Sequence, residues 1–160
     1  MITMDVYAKM KELGICLPAA PARGGLYTSC QQFADTLYYV SGCGPVLDAP
    51  VTGTLGLDVT VEQGQVYARS CMLNVLAALE KEIGDLRRVK NVVKITTFVQ
   101  SADTFHDQPA VANGGTRLLM DLFGKTVGLP SRSAIGVNAL PGDIPVETEA
   151  LFEVELPQGI

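Results

Sequence analysis

Arg132 and Glu147 stand fifteen residues apart in two late segments of the chain, Leu129–Val137 and Val146–Glu149. A guanidinium fork carried on a sheet is a ready clamp for a carboxylate, and an acid beside it can handle a proton or a water. Such a pair suits a small carboxylate ligand. The residues alone leave a plainer alternative open, in which Arg132 forms an ion pair with Glu149 or Glu153 on a solvated sheet face. Other chemistries find little support. His106 is the single histidine, and Cys16, Cys30, Cys43 and Cys71 have no C-x-x-C spacing, so no zinc ligand set is present. Cys43, between Gly42 and Gly44, has no base near it in sequence and reads as a small hydrophobe. His106-Asp107 lacks the G-x-S-x-G context of a nucleophile elbow, and the glycines at 53, 56, 114 and 115 do not match a phosphate-binding loop.

The elements that must position these residues follow from periodicity. Asp5 to Leu13 reads as a helix closed by Gly14, and a Pro/Ala/Gly loop runs from Leu17 to Gly25. Strands are expected over Leu26–Phe33 and Thr36–Ser41, which makes Tyr27 a half-buried strand residue. The strongest helix is Val61–Ile83, opened by the Thr60/Gln63 capping signature and carrying Ala68, Met72, Val75, Leu76, Leu79 and Ile83 inward. Asn91–Gln100, β-branched and aromatic, reads as a central strand buried on both faces. A second helix has Pro109 in its first turn and ends at Gly124. Asn113-Gly114-Gly115 conflicts with helix propensity while the apolar stripe continues through it, and Asn113 can serve as a helix-start residue.

The last two strands, Ser131–Ala139 and Pro145–Leu156, are expected as a hairpin about Pro141-Gly142. In that register Ala134 lies opposite Glu149 and Gly136 opposite Glu147. Arg132 then shares an open face with Glu147, Glu149 and Glu153, while Ile135 and Val137 pack beneath the helices. Helices on one side of a mixed sheet leave the other side uncovered, which predicts a homo-oligomer.

The totals agree with this picture. The chain has 160 residues, 48% of them hydrophobic and 18% charged, which is enough for one domain with a real core. A formal charge of −5 and the absence of a basic run exclude a nucleic-acid partner. No apolar run is long enough for a membrane span, and the opening residues Met1–Asp5 do not resemble a signal peptide. Separate, reduced thiols are expected in a cytoplasmic protein.

From about Gly25 to Val154 the chain resembles the Rid family, the YjgF-like reactive intermediate deaminases. The motifs are Pro130-Ser131-Arg132-Ser133, Leu140-Pro141 and Val146-Glu147, with Tyr27 after Gly25-Leu26, Ser41-Gly42 at a strand end, and Asn113. The resemblance implies an α+β, chorismate-mutase-like fold and a homotrimer whose three clefts are each lined from two chains. It implies a cofactor-free and metal-free hydrolase that turns reactive enamines and imines, the 2-imino acids, into 2-keto acids and ammonia. Arg132, Glu147 and Tyr27 would be catalytic, and Ser41, Gly42, Asn113 and Ala134 would contact the substrate. Cys43 and Ala134 depart from the usual pattern, as does an amino-terminal extension (residues 1–24) before the main domain (residues 25–160), so a divergent subgroup is indicated. The alternative within the same fold is a trimer that binds a small metabolite without turnover. The ribonuclease activity attributed to some relatives fits poorly with the acidic balance.

Overall fold

A computed structural model describes residues 5–157; Met1–Met4 of the extension and of the leader reading, and residues 158–160, lie outside it. The order is α1 (Val6–Leu13), β1 (Cys30–Phe33), β2 (Leu37–Cys43), α2 (Val61–Ile83), β3 (Val89–Gln100), α3 (Gln108–Gly128), β4 (Ser131–Val137) and β5 (Val146–Val154). The strands form one sheet in the order β1-β2-β5-β3-β4, antiparallel except for the parallel pair β3–β4. Both long helices lie on one face, α2 over β2 and β5, and α3 over β3 and β4.

Local chemistry sets each helix. The predicted capping box of α2 is present: Gln63 N donates to Thr60 Oγ1 at 3.2 Å, and Thr60 N donates to Gln63 Oε1 at 2.9 Å. All six residues of its predicted stripe are buried. Five of them join Val40, Ile95, Ala150 and Phe152 of the sheet and Leu118, Leu119 and Leu122 of α3 in the main core, and Ala68 joins Val99, Val111 and Val146 in a second cluster. The Asn113-Gly114-Gly115 conflict resolves as packing, because α3 starts earlier, at Gln108, and runs straight through it. A Cβ on Gly114 would collide with the backbone carbonyl of Gln65, so the two helices cross at glycine-only distance. At Gly124 the backbone leaves helical geometry (φ 75°, ψ 166°), at the predicted end, before a last turn to Gly128.

Helix α1 is seated on the same core through Val6 and Met10. Tyr7 Oη donates to Glu80 at 2.9 Å and accepts from Leu86 N at 2.9 Å, while the Arg87 guanidinium lies 4.5 Å from the Tyr7 ring centre. Among the described residues the amino-terminal segment is therefore built into the domain.

Three expectations need correction. The predicted β4–β5 hairpin does not form, because β3 lies between them: Ala134 pairs with Thr97 and Thr97 with Thr148, and Gly136 pairs with Val99 and Val99 with Val146. A parallel β3–β4 pair gives β3 a neighbour on each side, and the β4–β5 connection must cross the end of β3 instead of turning tightly. Second, β3 is buried on its helix side only; Val93, Thr96 and Phe98 stay partly exposed because none of the described residues covers that face. Third, β1 is only four residues long, and Tyr27 lies in the loop before it, not on a strand.

Candidate functional site

Register decides which side chains can meet. Arg132 lies beside Ile95, and Ile95 beside Ala150, both of them core residues under the helices. Arg132 therefore points to the helix side, and the predicted facing of β4 is reversed. The apolar Ile135 points outward, 42% exposed, while Arg132, Ala134 and Gly136 take the helix side. The cause is the closeness of α3: a Cβ on Gly136 would come within 2.7 Å of Gln108 Nε2, so small residues suit that side and a branched one does not. Glu147, paired with Phe98, projects from the open face. Arg132 and Glu147 thus lie on opposite faces of one sheet.

Arg132 is held by α3 alone. Its Nη1 donates to Asn113 Oδ1 at 2.8 Å and to Thr116 Oγ1 at 3.1 Å, and its Nη2 donates to the Pro109 carbonyl at 3.3 Å. No acid pairs with it among the described residues, so the surface ion-pair reading does not hold. Burial lowers its pKa, an effect no neighbouring carboxylate offsets. Its Nε–H makes no hydrogen bond among the described residues, and Nη2 keeps one proton beyond its bond to Pro109. Arg132 lines a cleft of about 640 Å³ together with Asn113, Thr116, Arg117, Met120, Leu129 and Pro130.

A second cleft, of about 490 Å³, lies on the open side and brings together Tyr27, Ser41, Gly42 and Glu147, joined by Tyr39, Pro141 and Glu149. A β-bulge builds its floor. Val40 pairs with Ala150 but Cys43 with Thr148, so β2 carries one extra residue at Ser41-Gly42. Ser41 Oγ donates to the Thr28 carbonyl at 2.6 Å, tying the bulge to the loop that carries Tyr27. Gly42 lets the Glu147 carboxylate lie against the backbone; any Cβ there would collide with it. Burial first, and the charge of Glu149 second, raise the pKa of Glu147 above the ordinary carboxylate value. Tyr27 Oη accepts from Gly24 N at 3.0 Å, and its own proton has no acceptor among the described residues.

The predicted residues are therefore divided. Tyr27, Ser41, Gly42 and Glu147 share one cleft; Asn113 and Arg132 share the other; Ala134 lines neither. Tyr39, whose Oη donates to Glu149 at 2.9 Å, and Thr116 were not anticipated. The place of Glu149 was legible in strand parity, since it lies two residues from Glu147 on the same face, and Thr116 follows Asn113 by three on one helix face. Cys43 is buried and its thiol is pushed up to about 11, in keeping with an unreactive packing role. Among the described residues no cluster of His, Cys, Asp or Glu could hold a metal, and no helix is long and apolar enough to cross a membrane.

Comparison with known proteins places this arrangement in context. The family model described as Endoribonuclease L-PSP matches residues 18–154. Protein TCP17 of Trypanosoma cruzi is 43% identical over 151 residues, covering 93% of this chain and 94% of its own length. A 2-iminobutanoate/2-iminopropanoate deaminase of Dermatophagoides farinae is 25% identical over 146 residues, covering 88% of this chain and 95% of its own. The crystal structure of Atu1372 from Agrobacterium tumefaciens, a protein of unknown function, has a TM-score of 0.84 at 34% identity over 94% of each chain.

Proposed function

This chain belongs to the endoribonuclease L-PSP family of the YjgF/Rid superfamily and has its α+β fold, and on that premise we propose that it is a cofactor-free deaminase of reactive imines and enamines. It converts 2-imino acids to 2-keto acids and ammonia as a homotrimer. Each active cleft joins the Arg132 cleft of one protomer to the Glu147 cleft of its neighbour. The division of the two clefts between opposite sheet faces supports this reading, since a single chain cannot bring Arg132 and Glu147 onto one small ligand.

The roles follow from the geometry. The Nε–H of Arg132 and the remaining Nη2 proton take the substrate carboxylate, while Asn113 and Thr116 fix Nη1. The imine carbon is already electrophilic. Water adds to it, a proton passes from the new hydroxyl to nitrogen, and the C–N bond breaks to leave the keto acid and ammonia. Glu147, whose burial makes it hold its proton more firmly than an ordinary carboxylate does, is suited to carry that proton in both directions. Tyr27 donates its free hydroxyl proton to the oxygen or nitrogen of the intermediate. Because imines hydrolyse readily in water, orientation supplies most of the acceleration.

The observation that carries the proposal is a guanidinium that lines an open cleft and has no acidic partner among the described residues. The test couples an amino-acid oxidase to the protein and follows decay of the imino acid. Acceleration that disappears in Arg132→Ala supports it. No acceleration with any imino acid, or full activity in Arg132→Ala, refutes it, and binding of 2-keto acids without turnover would leave a metabolite-binding protein in its place.

A further inference from the structure

The β4–β5 connection spans the end of β3, and one buried side chain meets it there. Gln100, the last residue of β3, is 3% exposed. Its Oε1 accepts from Leu140 N at 2.7 Å. Its Nε2 donates to Asp143 Oδ1 at 2.6 Å, to the Gly53 carbonyl at 2.9 Å and to Thr54 Oγ1 at 3.2 Å, so two protons serve three acceptors. The Gln100 backbone adds Gln100 N to the Pro145 carbonyl and Leu55 N to its own carbonyl, both at 2.9 Å. One carboxamide thus joins the two ends of the Leu140–Asp143 crossing to the loop at Gly53-Thr54. The crossing carries Pro141, a wall of the Glu147 cleft, and Asp143 sits at φ 58°, a left-handed backbone that a free turn would not readily keep.

We propose that Gln100 is a positioning residue, which sets the width of the Glu147 cleft by holding the Pro141 wall in place. This deepens the deaminase reading and rests on it for its kinetic consequence. Gln100 touches no substrate, and it leaves Glu147 and its proton transfer unaltered. Its effect falls on how well the substrate is held.

The test substitutes Gln100→Glu, which keeps the acceptor for Leu140 N but turns an oxygen toward the Asp143 carboxylate and the Gly53 carbonyl. The expected result is a KM raised about tenfold, with kcat within about threefold of the parent. Adding Asp143→Asn supplies an amide donor for the new carboxylate and brings KM at least halfway back on a logarithmic scale. Should Gln100→Glu fail to fold, Asp143→Gly removes only the outer contact at an exposed position whose φ glycine accepts, and the same rise in KM is expected at about threefold. In parallel, hydrogen exchange of the Leu140 and Asp143 amides should quicken about tenfold while α2 stays protected. An unchanged KM, a loss confined to kcat, no recovery with Asp143→Asn, or exchange that quickens evenly across the chain overturns the proposal. If the parent protein hydrolyses no imine, the deaminase reading fails by itself, and the exchange measurement alone decides the role of Gln100.

Discussion

Replacing Gly42 by alanine adds one methyl group at the point where the backbone meets the Glu147 carboxylate. An ideal Cβ at Gly42 would lie 2.9 Å from Glu147 Cδ and 3.1 Å from Cγ, and nearer still to Oε1. The Gly42 backbone is not in the left-handed region, so alanine imposes no strain of its own there. The obstructing group is the far end of a flexible side chain, and Glu147 can swing aside while the bulge stays. Overpacking of that kind costs about 1 kcal/mol, which for a chain of this length lowers Tm by about 2–4 °C. Activity should suffer far more, since a displacement of about 1 Å in a reacting group costs on the order of 100-fold. The expected outcome is therefore a kcat/KM reduced about 100-fold in the coupled imine assay with Tm almost unchanged. Because both changes act through one carboxylate, adding Glu147→Gln to Gly42→Ala should cost much less than Glu147→Gln costs alone. An alanine variant with parental kcat/KM would refute the claim that this placement of Glu147 matters.

Other expectations are open to simple measurement. The folded pKa of Glu147 lies above its unfolded value near 4.5, so the native state binds its proton more tightly and loses stability as pH rises through that interval. Glu147→Gln should therefore raise Tm at pH 7, with the gain vanishing below about pH 4.5 in denaturation series. Gly114→Ala drives a methyl group into the Gln65 carbonyl, where backbone rather than a side chain must yield, and should cost about 3 kcal/mol or more in urea unfolding. Alkylation at neutral pH, read by mass spectrometry, should modify exposed Cys16 well before Cys43, Cys30 or Cys71, whose burial raises their pKa values.

Much of this architecture was legible in the chain. Long periodic signals were reliable: the Thr60/Gln63 cap, the α2 stripe and the inward set on β5 lie where their spacing places them, because burial and hydrogen bonding agree over many residues. The facing of β4 was not legible. Ser131 to Val137 alternates small and polar residues with apolar ones, and hydrophobicity alone puts Ile135 inward. The closeness of α3, where Gly136 meets Gln108, reverses that choice, and it is a tertiary fact absent from the local pattern. The false hairpin has a similar origin. Nearness in sequence favours pairing neighbours, whereas β3 obtains a partner on each side by separating them. Tyr27, Glu147 and Arg132 were selected by motif, and no periodicity could have divided them between two clefts.

The placement of Arg132 and Glu147 on opposite sides of the sheet has a genetic consequence. If neighbouring copies complete one another's clefts, chains carrying Arg132→Ala and chains carrying Glu147→Gln are each inert alone, yet each retains what the other lacks. Unfolded together in equal amounts and reassembled, they should regain activity in roughly one cleft in four, those whose guanidinium and carboxylate both come from intact donors. Two null alleles would then complement within a single cell, and heterozygotes would tolerate lesions that are lethal to activity in either homozygote.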